Sequence, residues 1–274
     1  MSGAWSWPVR WPQVREVMRL ELTRSVSGWR SLWLVWFAFA PVLIIGAHAL
    51  QDHDHRLEHE TLILAGIVQI FYVRFGIFFG ALGLFLRLFR GEVAERTLHY
   101  AFLAPVRREA LVVGKFLAGV FTAVGVFGVG VATSFVLMYA HFPAGREFLI
   151  EGRGASHLGA YLTVTVLACI GYGAVFVALS LLVKNPIVPS VSLLVWEGIN
   201  GALPVWLKHL SVTFYLKPLF PVELPIAGIS GLFTVVAEPV APAVAIAGLL
   251  LFAALVVAAA CWRIRGMEVS YSAD

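Results

Sequence analysis

Charge is the scarcest ingredient of this sequence. Of 274 residues only 13% are Asp, Glu, Lys or Arg, about half the share that a water-facing surface carries. Hydrophobic residues make up 60% and the mean hydropathy is +0.86, which excludes an ordinary soluble enzyme and requires most of the surface to face lipid. Cysteine is almost absent. Cys169 and Cys261 both lie in apolar stretches and no CxxC pair occurs, so a disulfide framework and a cysteine-based metal or redox site are excluded. A phosphate-binding loop is missing too: Gly114-Lys115 is followed by Phe116, without the upstream glycine of G-x-x-x-x-G-K-[ST]. The chain itself is therefore not expected to be an enzyme, to hydrolyse nucleotide or to bind a cofactor. The excess of Lys+Arg over Asp+Glu, 20 against 16, carries no implication of nucleic-acid binding in so apolar a chain.

What the sequence has instead is long apolar runs. A helix needs about 20 such residues to cross the hydrocarbon core, where every backbone polar group must be satisfied internally. Six segments meet that length, approximately Ser31–Leu50, Thr61–Phe89, Leu111–Tyr139, Leu158–Val183, Pro186–Leu207 and Val240–Trp262. The expected fold class is an all-α membrane protein with six transmembrane helices. The apolar stretch Leu224–Val236 is too short to span and is bracketed by Pro225 and Pro239, so it reads as re-entrant or interfacial. The expected organisation is a tail and interfacial helix over 1–30, a transmembrane domain over 31–262 with a connecting segment at 90–110 and a re-entrant region at 208–239, and a tail over 263–274.

Six spans put both termini on one side. Fourteen of the 20 cations fall on the side of the termini, five on the other, and Arg74 lies within a span; by the positive-inside rule both termini are cytoplasmic. The first thirty residues have no uninterrupted apolar core, so no cleavable signal peptide is expected. Val14, Val17, Met18 and Leu22 recur at helical spacing while Arg15, Arg19, Glu21 and Thr23 fill the other positions, among tryptophans at 5, 7, 11 and 29. This pattern reads as an amphipathic helix on the cytoplasmic membrane surface.

The most informative stretch runs from Arg90 to Lys115, between spans two and three. Glu92 and Glu95 precede a short run with Leu98, Phe102 and Leu103; Pro105 stops it, and Arg107-Arg108-Glu109 opens the next helix. A short helix with apolar and charged faces suits protein docking, whereas a helix lying on anionic lipid would explain the arginines but not the paired glutamates. The segment resembles the first cytoplasmic connection of type-2 ATP-binding-cassette (ABC) transporter permeases, with Glu92, Thr97, Leu98, Pro105, Arg108, Gly114 and Lys115 at the matching positions and Arg96 and Arg107 as departures.

The resemblance extends to the layout: an amino-terminal elbow helix, six spans, and short exoplasmic helices between spans five and six. It implies a permease subunit of an ABC transporter, an exporter by this layout, in the bacterial cytoplasmic (inner) membrane. It further implies two cytoplasmic ATPase subunits that hold ATP and Mg²⁺, and a second permease copy or homologue in the bilayer. ATPase coupling is then expected at Glu92, Glu95, Arg96, Thr97, Pro105, Arg107 and Arg108. A polytopic scaffold or a metal-handling membrane protein is the alternative.

Two ionisable residues sit at mid-membrane depth. Arg74 lies about 13 residues, roughly 20 Å, from the outer end of span two, and Glu197 about 16 Å from the cytoplasmic end of span five. With Gln69 and Asn200 they form either a polar patch on the translocation path or interface, or a structural tie between spans two and five. On the outer side, Gln51–Glu60 carries His53, His55 and His59 among four carboxylates. That composition fits divalent transition-metal ligation, although the spacing matches no defined motif and a solvated polar loop explains it equally.

Overall fold

The computed structural model describes residues 11–26, 32–50, 56–91, 106–183, 185–199, 204–224 and 240–266. Those residues form helices and turns, with no strand among them. Helix α1 (Trp11–Val26) is followed by α2 (Leu32–Ala49) and α3 (Leu57–Phe89). Helix α3 passes through π-helical turns over Ile67–Ile77, and a second π-helical stretch, Arg87–Gly91, ends it. Then come α4 (Arg108–Ala140), α5 (Pro143–Ile150), α6 (Gly154–Leu182) and α7 (Ile187–Ile199). Short helices α8 (Val205–Lys208) and α9 (Val212–Leu216) lead through the 3₁₀ turn Lys217–Leu219 toward α10 (Pro242–Arg265).

Helices α2, α3, α4, α6 and α10 are long and apolar enough to cross a membrane. Of the expected fifth span, Pro186–Leu207, the structure describes α7 over Ile187–Ile199, while residues 200–203 lie outside the described residues. At Pro204 a ψ of 149° takes the backbone out of helical geometry before α8 begins.

Between helices in lipid there is no hydrophobic gain to be had, so close packing and internal hydrogen bonds hold the bundle together. Helix α6 is the central element, in contact with α3, α4 and α10. Phe85 of α3 shows how the helices interlock: a Cβ on Gly173 of α6 would come within 2.6 Å of its ring, and one on Gly119 of α4 closer still. Phe78 packs edge-on against Tyr172 and Phe176 of α6, at 5.3 and 5.1 Å between centroids.

A polar tie crosses the same core. Pro41 inside α2 has no N–H for the carbonyl of Phe37. At this level the Tyr72 hydroxyl donates to the neighbouring Ala38 carbonyl at 2.8 Å and lies 2.9 Å from the Ser134 hydroxyl of α4. Three helices thus share one hydrogen-bonded contact at zero exposure.

Gly130 makes that contact possible, since a Cβ there would lie 2.5 Å from the Ala38 carbonyl oxygen and 3.2 Å from the Tyr72 hydroxyl. Gly130→Ala is expected to cost about 1–3 kcal/mol by overpacking and to lower the thermal unfolding midpoint in detergent. Gly125→Ala, which meets nothing within 4 Å, is expected to leave the midpoint unchanged; equal midpoints in the two variants would contradict this packing.

Candidate functional site: a clasp and a joint

Two buried polar clusters tie the spans together, one at the middle of α3 and one at its carboxyl end. The first joins Arg74 and Glu197, which are 5% and 1% exposed. They meet, but not as an ion pair. A guanidinium nitrogen of Arg74 donates to the main-chain carbonyl of Glu197 at 2.7 Å, a cation on a last-turn carbonyl of α7, where the helix dipole favours positive charge. The Glu197 carboxylate turns the other way. It accepts from the Ser211 hydroxyl at 2.7 Å, the Val212 amide at 2.9 Å, the Thr213 amide at 3.2 Å and the Thr213 hydroxyl.

Glu197 therefore stands at the amino end of α9, where a carboxylate is favoured by uncovered amides. Ser211 completes the cap by accepting from the Phe214 amide at 3.3 Å. Gln69, five residues before Arg74 on the π-helical part of α3, donates its side-chain amide to the Val222 carbonyl at 2.8 Å. Arg74 thus holds the last described turn of α7, and Gln69 the irregular segment beyond it. Asn200 lies outside the described residues. Four donors leave the carboxylate little capacity for a further ligand, which commits it to this contact.

The second cluster was hidden in the pattern of α1. Glu21, placed among the polar positions of that helix by its periodicity, is 6% exposed and faces α4 together with Val14 and Val17. Its partner is Lys115 of α4, 1% exposed, whose ammonium donates to the Glu21 carboxylate at 2.6 Å and to the Leu88 carbonyl at 2.8 Å, over the Phe89 ring. Beside it, a Cβ on Gly114 would lie 2.7 Å from Val17, so only glycine lets α1 approach α4 this closely. The Gly-Lys pair thus fastens three elements: α1, the end of α3, and the start of α4. A lone cation in the run Leu111–Leu117 was the signal in the sequence, but it names no partner 94 residues away.

This joint brackets the segment between spans two and three. Glu92, Glu95, Arg96, Thr97 and Pro105 lie outside the described residues; the ends of that segment do not. Helix α3 is held at Leu88 by Lys115, and the Arg107 amide donates to the Gln13 side chain of α1 at 3.3 Å. Arg108 donates to the carbonyls of Ile264 and Arg265 at the end of α10, while Arg265 pairs with Glu109 at 2.5 Å. The chain leaves and re-enters the bundle against a single fastened patch.

Of the outer histidines, His53 and His55 lie outside the described residues, and no group of three potential metal ligands gathers among the described ones. The nearest described pair is His48 with Glu60, its ring nitrogen 3.0 Å from the carboxylate. Glu60 is 2% exposed, so this contact joins the end of α2 to the start of α3.

Lys115→Met is expected to destabilise the protein by about 3–5 kcal/mol, because it strands a buried carboxylate. Adding Glu21→Leu should recover a large part of the loss; a double variant no more stable to unfolding than the single one would refute the pairing. At the clasp, Glu197→Ala orphans four donors at about 1–3 kcal/mol each. Amide exchange at Val212 and Thr213 is then expected to accelerate at least tenfold, and unchanged exchange would show that the clasp does not hold α9.

No curated protein matches the chain. Residues 29–197 match the family described as "ABC-2 family transporter protein". The matched stretch takes in α2, α3, α4, α6 and α7, with the joint's Lys115 and the clasp's Arg74 and Glu197. That is well over half the sequence, and the chain therefore belongs to the ABC-2 transporter family, as a multi-pass membrane component of an ATP-binding-cassette transporter.

Proposed function

We propose that the chain is the permease half of an ABC exporter in the bacterial cytoplasmic membrane. Two separate ATPase subunits carry the ATP and Mg²⁺, and a second permease copy or homologue completes the pathway. Six crossings follow if α7 and the residues after it complete the fifth, which leaves both termini in the cytoplasm. Helix α1, packed against α4 through Val14 and Val17, then serves as the elbow helix.

The observation that carries this reading is the joint of Glu21, Leu88 and Lys115, within a chain of this family. A force on the segment 90–110 cannot be absorbed by slack at its ends, because its entry is bonded to α4 and its exit to α1 and α10. Closure of the ATPase subunits on Glu92–Arg108 would therefore move α1, α3 and α4 together. Nucleotide would shift the population between inward- and outward-open arrangements of the two permeases.

Helix α7 supports the second copy. Ile187, Val191, Val195 and Ile199 recur every fourth residue and are exposed, an apolar stripe on the helix whose far end is fixed by the clasp. At the pathway, the clasp acts as a positioning device: Arg74 and Glu197 set the outer short helices relative to α3, and so place the outer mouth.

Charge reversal of Glu92 and Glu95 to lysine tests the coupling reading. The ATPase encoded with this chain is expected to co-purify with the wild-type permease and to be lost from the doubly reversed variant, which should still insert and unfold like wild type. Retention of the ATPase by that variant would refute docking through these residues.

A further inference from the structure

A groove of about 600 Å³ runs along the outside of the bundle between α4, α6 and α10. Its walls are apolar, formed by Val113 and Leu117 of α4, Ile170 of α6, and Ala254, Val257 and Ala258 of α10. The small residues of α10 keep it open. Its α10 wall runs from Leu250 to Arg265, about 22 Å at 1.5 Å per residue, which reaches from near the middle of a bilayer to its surface.

One end of the groove is charged. Arg107, Glu109 and Arg265 line it there, beside Trp11. Arg265 is paired there with Glu109, Arg107 adds a second guanidinium, and α4 begins at this point without a side-chain cap, so its helix dipole adds further positive potential. The groove is thus apolar for one leaflet's depth and lined by cations where that leaflet meets water. A single hydrocarbon chain with an anionic head matches both the apolar length and the charge.

We propose that this groove is a binding site for an anionic phospholipid, with one acyl chain laid between α4 and α10 and its phosphate against Arg107 and Arg265. This site is independent of the coupling reading, resting only on the chain's being a membrane protein. Its headgroup end adjoins the fastened patch, so bound lipid would brace α1, α4 and α10 where the segment 90–110 re-enters the bundle.

Native mass spectrometry of the full chain in detergent, titrated with phosphatidylglycerol or phosphatidylcholine of the same acyl composition, tests the site. Phosphatidylglycerol is expected to bind at least about fivefold more tightly, the preference that one or two interfacial cations confer. Arg107→Gln, which keeps the main-chain bond to Gln13, should remove that preference, and Arg107→Lys should retain it. Ala254→Leu with Ala258→Leu, both on the open face of α10, should weaken binding of both lipids without lowering the unfolding midpoint in lipid-free detergent. Equal affinity for the two lipids in the wild-type protein, or preference surviving Arg107→Gln, would overturn the proposal. A phosphatidylglycerol carrying a photoreactive acyl chain gives a readout on the unmodified protein: crosslinks in the peptide Leu250–Ala258 are expected, and labelling confined to other helices would overturn the assignment.

Discussion

Lipid offers no partner to a polar atom, and this single constraint organises the structure. A buried polar group is stabilised by a complement within the protein, and the places where one helix supplies it to another are the places where the helices are fixed together. Tyr72 reaches the Ala38 carbonyl and Ser134; Lys115 reaches Glu21 and the Leu88 carbonyl; Glu197 gathers the hydroxyls and amides of Ser211–Thr213. Apolar contacts fill the space between these ties, but lipid solvates leucine as well as a neighbouring helix does, so they set the fit and not the register.

The ties are distributed unevenly. At one end of the bundle, the joint and the contacts of Arg107, Arg108 and Glu109 fasten α1, α3, α4 and α10 into one patch around the connecting segment. At the middle of α3, the clasp fastens that helix to α7 and, through Glu197, to α9. Helix α3 belongs to both, and its π-helical stretch Ile67–Ile77 carries Gln69 and Arg74 of the clasp together with Tyr72. Insertions of this kind are frequent at functional sites, and here the stretch presents three polar side chains to three different partners. Helix α3 thus runs from the fastened patch at Leu88 to the residues that hold α7 and Val222.

Much of the architecture was legible from composition and periodicity. Runs of apolar residues located the five membrane-length helices, because in lipid every outward face must be apolar and run length alone reports it. Periodicity gave α1 as well, and Arg107–Arg108 marked the start of α4. The same logic failed where tertiary structure overrides the one-dimensional pattern. Glu21 looked like part of a solvated face because a charge seldom packs inward, and only a lysine on another helix makes that possible. At Pro204 the backbone leaves helical geometry within a run that hydropathy reads as unbroken.

The Arg74–Glu197 pair marks the boundary between the two kinds of information. The sequence by itself determined that two charges lie deep in apolar spans and that neither can remain without partners, because the energy of an unsatisfied charge in hydrocarbon is prohibitive. Only the tertiary structure decided which partners those are. The guanidinium takes a carbonyl at the end of α7 and the carboxylate takes the start of α9, since helix ends present uncovered carbonyls and amides that a side-chain pairing rule cannot see. Membrane class and family could be read from the chain because they follow from local composition and a contiguous motif. The joint and the clasp could not, because each is made by residues far apart in sequence whose meeting depends on how the helices pack.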